Sequence, residues 1–235
     1  GVNGPPGSGK TYFSAASIVR LMKMKKDNNE NFRVIVTACT KLAIKHLLDK
    51  IKNVVDQSGY KNLFQIGTTD PKHDAGKKAC GRGGSSDGME IKITKGQKLT
   101  NFIDKNSRIV IGTTCYTESL IPHENKFDLL LIDEASQLKQ NNLSIAVSML
   151  NSNNSNWRMI VVGDYLQMPP IVKNKYPIQN KNCINPSVQL SVLDMIRFKH
   201  LEYGTPFLSL QENHRMNSQL CDFTKDILAY DHYEM

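Results

Sequence analysis

The sequence has little cysteine and lacks every common paired-cysteine motif. Its five cysteines are scattered, and no two of them form a C-x-x-C pair. This spacing argues against a zinc site or a disulfide framework and favours a reducing compartment, so we expect an intracellular protein, cytoplasmic or nuclear. The sequence also lacks a secretory signal pattern and any apolar run of about 18 residues or more, so we expect no membrane segment.

The chain does contain enough apolar residues for a core and an excess of positive charge. Hydrophobic residues make up 40% of the 235 residues, which is typical of a folded chain. The formal net charge of +8 favours a polyanionic partner such as nucleic acid, because lysine and arginine neutralise phosphates. A lysine-rich proteome would give the same charge, so charge alone leaves both explanations open.

The most informative stretch lies near the N-terminus and fits G-x-x-x-x-G-K-[ST], the phosphate-binding loop (P-loop) of nucleotide hydrolases. Glycines let the backbone N–H groups of such a loop approach phosphate oxygens, and the following helix directs its positive end at the same anion. The lysine can reach the β- and γ-phosphates of ATP, and the hydroxyl can hold Mg²⁺. The predicted ATP-binding residues are Gly4, Pro5, Pro6, Gly7, Ser8, Gly9, Lys10 and Thr11.

Strand and helix patterns alternate after this loop. Residues 32–38 predict a buried strand, 40–55 a helix and 63–66 another strand. This order predicts an α/β fold with a mostly parallel sheet flanked by helices. Residues 68 to about 106 are rich in Gly, Lys and Asp and predict a long loop or small insertion. Only three residues precede Gly4, so we expect a first strand cut short in a fragment of a longer protein.

Three further motifs follow predicted strands, where an open α/β sheet places its ligand. In LLLIDE, Asp133 can hold Mg²⁺ and Glu134 can deprotonate the attacking water; the alternative is a pair that caps the next helix. In GDYLQMPP, the amide of Gln167 can sense the γ-phosphate and the water. In LQENHRMN, Arg215 can neutralise charge on the transferred phosphoryl group.

These four motifs, in this order, resemble those of superfamily 1 helicases, in the group that includes the nonsense-mediated-decay RNA helicase. The resemblance implies a RecA-like P-loop NTPase over residues 1–200, interrupted by the insertion at about 68–106. It further implies that residues 201–235 start a second, truncated RecA-like domain, which offers Arg215 across the cleft. His214 departs from the family, in which tyrosine or phenylalanine is usual.

The resemblance also implies contacts with single-stranded DNA or RNA. Thr40 matches a hydroxyl of one nucleic-acid-contacting segment, and Thr113 and Thr114 match a later one. Helix capping and strand termination explain the same residues nearly as well. The implied function is an ATP-dependent helicase or translocase in which hydrolysis is coupled to closure of the cleft between two RecA-like domains. The alternatives are an ATP-dependent clamp or scaffold that does not unwind, and an inactive fragment.

Overall fold

A computed structural model describes residues 1–60, 62–70, 91–93, 97–115, 121, 127–151, 157–171 and 190–228. The strands are β1 (Val2–Asn3), β2 (Phe32–Ala38), β3 (Gln65–Thr68), β4 (Ile91–Ile93), β5 (Arg108–Thr114), β6 (Leu129–Ile132), β7 (Arg158–Gly163) and β8 (Leu208–Ser209). The helices are α1 (Lys10–Asp27), α2 (Lys41–Ser58), α3 (Gln97–Lys105), α4 (Gln140–Ser148), α5 (Val192–Tyr203) and α6 (Ser218–Leu228).

The chain divides into two compact units. Unit 1 comprises Gly1–Lys10, Ile132–Ser144 and Ile160–Met235, and unit 2 comprises Thr11–Leu131 and Ile145–Met159. The strand order is β4-β3-β5-β2-β6 for the strands that lie wholly or mostly in unit 2, and β7-β1-β8 for those wholly or mostly in unit 1. Strand β1 pairs in parallel with β7 and β8, β2 pairs in parallel with β5, and β3 pairs in parallel with β4 and β5. The predicted parallel α/β arrangement is confirmed.

The core of unit 2 forms because α2 presents one apolar face to β5. Thr40 begins α2, since its Oγ1 accepts a hydrogen bond from the Ala43 N–H at 3.1 Å, and Gly59 ends it with φ 67°. The buried helix residues recur at helical spacing: Ile44, Leu47, Leu48 and Ile51. A Cβ at Gly112 of β5 would lie 2.7 Å from Leu48 Cδ1, so the absence of a side chain there lets the helix pack closely on the strand.

The segment from 68 to about 106, predicted as a long loop or small insertion, contains regular secondary structure toward its C-terminal end. Helix α3 and strand β4 lie within it, and β4 pairs with β3 in parallel. Leu99 and Ile103 of α3 are buried, which gives this short helix an apolar side to pack. Residues 71–90 and 94–96 lie outside the described residues.

In unit 1, β1 lies between β7 and β8. Val2 is in register with Val162 and with Leu208. Strand β8, which lies beyond residue 200, therefore pairs with β1, the strand that precedes the P-loop. The division at residue 200 and the start of a second RecA-like domain at 201 stay predictions, and residues 229–235 lie outside the described part of the chain.

Candidate active site

The P-loop follows β1 and leads into α1, as the motif predicts. Gly7 and Gly9 have positive φ values of 86° and 81°, a region that residues with a Cβ rarely adopt. The loop is closed by Ser8, whose N–H and Oγ both donate to the Pro5 carbonyl, at 3.2 and 2.8 Å. The backbone of the loop is therefore already bent into the compact form from which N–H groups can bind phosphate.

Lys10 lies folded against its own loop. Its Nζ donates to the Gly4 carbonyl at 2.6 Å and to the Pro5 carbonyl at 3.2 Å. A Cβ at Gly4 would lie 2.7 Å from Lys10 Cγ, so only glycine leaves room for the lysine stem. Burial lowers the pKa of Lys10, while the negative charges of three carboxylates oppose that shift: Asp164, Glu134 and Asp133.

Asp133 and Glu134 stand directly after β6, where the LLLIDE motif predicted them. Asp133 is 4% exposed, and its Oδ1 accepts a hydrogen bond from the Glu134 N–H at 3.0 Å. Burial, and next the charge of Glu134, raise the pKa of Asp133 to about 6. Glu134 has a φ of 51°, which is unusual for a residue with a Cβ. This strained position at a strand end is typical of a functional residue.

The two carboxylates suit a divalent cation. Within the described residues, the Oε2 atom of Glu134 is buried and has no hydrogen-bond partner. Burial also disfavours the ionised form of Asp133. Carboxylate oxygens are the ligands that Mg²⁺ prefers, and a nearby cation would relieve both features. The carboxylate of Asp133 therefore fits the role of a Mg²⁺ ligand. The other predicted ligand, Thr11, belongs to α1 and is assigned to unit 2.

The turn after β7 carries both the predicted Gln167 and a buried acid, Asp164, that was not among the predicted site residues. Asp164 is completely buried; its Oδ1 accepts from the Leu166 N–H and its carbonyl from the Gln167 N–H, both at 3.1 Å. These bonds close the turn that presents Gln167. Asp164 follows an apolar strand just as Asp133 does, and that parallel was the signal that could have identified it.

The loop from β6 crosses directly over the end of β7. The Ala135 N–H donates to the Val162 carbonyl at 2.9 Å. A Cβ at Gly163 would lie 3.1 Å from the Ser136 nitrogen and 3.2 Å from the Ala135 nitrogen. Glycine before Asp164 thus allows the loop that bears Asp133 and the turn that bears Gln167 to approach each other.

Arg215 lies in unit 1 together with Lys10. The resemblance implied that this arginine belongs to a second domain, which stays a prediction, and the turn that bears it contacts the P-loop directly. The His214 N–H donates to the Gly7 carbonyl at 2.9 Å, and the positive charge of Arg215 lowers the pKa of Lys10 further. Unit 1 thus brings together Lys10, Asp133, Glu134, Gln167 and Arg215.

The predicted nucleic-acid contacts lie in unit 2. Thr40 is exposed and caps α2, as its alternative explanation predicted. Thr113 and Thr114 are buried at the end of β5, and Thr113 Oγ1 is 3.0 Å from Thr69 Oγ1. Thr114 is in register with Ala38, so β2 and β5 end side by side below α2. Contact of these threonines with nucleic acid stays a prediction.

Comparison with known proteins identifies the family of this chain. The family described as the AAA domain matches residues 1–173. The chain belongs to that family. Its α/β fold is accordingly the RecA-like P-loop fold, and the resemblance to superfamily 1 helicases that the motifs indicated is confirmed.

Three curated relatives that match this chain are named as ATP-dependent helicases. The chain is 26% identical over 225 residues to the DNA replication ATP-dependent helicase/nuclease dna2 of Schizosaccharomyces pombe, covering 96% of this chain and 14% of that protein. It is 29% identical over 175 residues to DNA2 of Saccharomyces cerevisiae, covering 73% and 10%. It is 23% identical over 244 residues to the ATP-dependent helicase NAM7 of the same yeast, covering 96% and 23%. The chain thus spans less than a quarter of these relatives.

Proposed function

We propose that this protein is an ATP hydrolase that acts as a helicase or translocase on single-stranded DNA or RNA. The observation that carries the proposal is the convergence, within unit 1, of a P-loop lysine, two carboxylates after β6, and the turns that bear Gln167 and Arg215. Relatives named ATP-dependent helicases support the same reading. The intracellular location, cytoplasmic or nuclear, stays a prediction.

Each side chain has a role that its surroundings support. Lys10 leaves the carbonyls of its own loop to bind the β- and γ-phosphates, which offer a better partner for a buried ammonium group. Glu134 accepts a proton from the attacking water through its Oε2 atom, which has no hydrogen-bond partner among the described residues. Gln167 orients that water, and Arg215 neutralises the charge that develops on the transferred group.

Magnesium is the implied cofactor. Thr11 and Asp133 would hold it, and a bound Mg²⁺ supplies neutralisation of phosphate charge. The raised pKa of Asp133 fits this role, since the carboxylate is poorly stabilised without a cation.

The motor function rests on the whole protein. We propose that ATP binding closes, and hydrolysis reopens, a cleft between two RecA-like domains, the second of which begins at about residue 201. The net charge of +8 supports a polyanionic partner, and Thr40, Thr113 and Thr114 are the proposed contacts with the strand.

The test is ATP hydrolysis by the full-length protein with and without single-stranded DNA or RNA. We expect the strand to accelerate hydrolysis, and Lys10→Ala and Glu134→Gln to abolish it without unfolding the protein. Lys23→Ala is the matched control, because Lys23 is a surface lysine of the same helix that pairs with Asp27. A wild-type protein without ATPase activity, or one indifferent to nucleic acid, contradicts the proposal.

A strand-displacement assay separates the motor from a clamp. Stimulated hydrolysis with displacement of a duplex strand supports a helicase. Stimulated hydrolysis without displacement or movement along the strand would instead favour an ATP-dependent clamp, in which the nucleotide switches the conformation.

A further inference from the structure

Asn213 is the only buried residue within residues 211–215, with 8% of its surface exposed. A buried amide has to form hydrogen bonds, and this one forms three. Its Oδ1 accepts from the Arg215 N–H at 2.9 Å and from the Met216 N–H at 3.0 Å, and its Nδ2 donates to the Met216 carbonyl at 3.0 Å. The side chain of Asn213 thus closes the turn that carries Arg215.

The same turn sits on the P-loop. The His214 N–H donates to the Gly7 carbonyl at 2.9 Å. A Cβ at Gly7 would lie 2.5 Å from Asn213 Oδ1 and 3.0 Å from Arg215 Cβ. The loop that contains Lys10 and the turn that contains Arg215 therefore share a backbone hydrogen bond and a close contact, although Gly7 and Asn213 are far apart in the sequence.

The far side of the turn is held by α6. Cys221 is buried, and both Met216 and Leu166 pack against it. Leu166 belongs to the turn that presents Gln167. The turn of Arg215 is consequently fixed from two sides, by the P-loop at Gly7 and by an apolar contact that it shares with the turn of Gln167.

We propose that Asn213 is a positioning residue for hydrolysis. Its amide seats Arg215 on the P-loop, so that the guanidinium meets the γ-phosphate of the nucleotide that Lys10 binds. This inference rests on the proposed ATPase function. Arg215 itself is exposed, and its backbone N–H donates to the Oδ1 atom of Asn213. Without Asn213 the turn relaxes, and the arginine is displaced from the phosphoryl group.

The first experiment compares steady-state ATP hydrolysis of wild type and Asn213→Ala in the full-length protein with single-stranded nucleic acid. We expect kcat to fall about 10- to 100-fold, with KM for ATP within about threefold, since misplacing a group that acts in the transition state affects kcat. Asn213→Ser should recover part of kcat, because a hydroxyl caps the same turn more weakly.

Asn217→Ala is the matched control. Asn217 caps the neighbouring helix α6, its Oδ1 accepting from the Leu220 N–H at 2.9 Å, but it is exposed. This variant loses a cap of the same kind and should keep kcat within about twofold of wild type. An equal loss of kcat in Asn217→Ala would show that any damage to this region has the effect, and would overturn the inference.

The second experiment measures the effect of Asn213→Ala on kcat in a protein that already carries Arg215→Ala. If Asn213 acts through Arg215, the second substitution should change kcat by less than about twofold. A further loss as large as in wild type refutes a role through the arginine, and a wild-type kcat in Asn213→Ala refutes the inference while leaving the ATPase function intact. An inactive wild-type protein refutes the proposed function itself.

Discussion

Replacing Gly7 with alanine should destabilise the protein more than its backbone conformation alone explains. Gly7 has a φ of 86°, and a Cβ there would lie 2.5 Å from Asn213 Oδ1. Gly204, at the C-terminal end of α5, provides the comparison in the same unit. Its φ is 66°, but a Cβ there would meet no atom of the described residues within 4 Å. The two substitutions therefore share the conformational penalty and differ in the contact with Asn213.

The magnitudes follow from these two terms. A left-handed conformation costs a residue with a Cβ roughly 1–2 kcal/mol, which applies at both glycines. At Gly7, Asn213 must also move and release the two hydrogen bonds that its Oδ1 accepts, each contributing about 1 kcal/mol. For a chain of this size we expect Tm to fall by roughly 10 °C in Gly7→Ala and by roughly 4 °C in Gly204→Ala.

Thermal unfolding of the nucleotide-free protein, followed by calorimetry or circular dichroism, measures the difference. The double variant Gly7→Ala with Asn213→Ala removes the oxygen that the new Cβ would meet, so its destabilisation should be less than the sum of the single effects by about 1–2 kcal/mol. Equal Tm losses in Gly7→Ala and Gly204→Ala, or strictly additive effects in the double variant, would refute the contact between the P-loop and the arginine turn.

Two further predictions concern the buried acids. Asp133→Asn should stabilise the Mg²⁺-free, nucleotide-free protein by up to roughly 3 kcal/mol, the equivalent of raising the pKa from 3.8 to about 6. A carboxyl group with a raised pKa destabilises the fold as pH rises from about 4 to about 6. The gain in stability from Asp133→Asn should therefore be complete above pH 6 and vanish near pH 4. Denaturant titrations that show a pH-independent gain would contradict this. Asp164→Asn keeps the acceptor for Leu166 but removes negative charge near Lys10, so it should tighten ATP binding about 3- to 10-fold at low salt. Calorimetric titration with ATP measures the affinity. Unchanged or weaker binding by Asp164→Asn would argue against repulsion between the Asp164 charge and the phosphates.

Much of the fold and of the site could be predicted because the signals are local in the chain. The P-loop, the strand before Asp133 and the cap of α2 at Thr40 each depend on residues within a few positions of one another. Helix α3 was missed although Leu99 and Ile103 have helical spacing, because the surrounding residues are polar and glycine-rich. The polar composition averaged over residues 68–106 outweighed the helical spacing within the short segment Gln97–Lys105.

The roles of Asp164 and Asn213 could not be predicted in the same way. Both are polar residues whose hydropathy suggests exposure, and both are buried because tertiary contacts surround them. Burial of a polar side chain depends on whether the fold supplies its hydrogen-bond partners, and those of Asn213 are backbone groups that take position only once the turn has formed. A motif identifies Arg215 as an arginine but does not reveal what holds it.

The contact between Gly7 and Asn213 also changes the reason why glycine is required in the P-loop. Phosphate binding alone explains the positive φ of Gly7 and Gly9, yet the space around them differs. Among the described residues, a Cβ at Gly9 would meet only His214 Cδ2, at 3.6 Å, an ordinary van der Waals distance. Gly7 has a second constraint, since the amide of Asn213 occupies the place of its side chain. The two positions are therefore sterically coupled: a side chain with a Cβ at position 7 needs a side chain smaller than asparagine at position 213. A variant with a shorter residue at 213 should accordingly tolerate alanine at position 7 better than the wild type does.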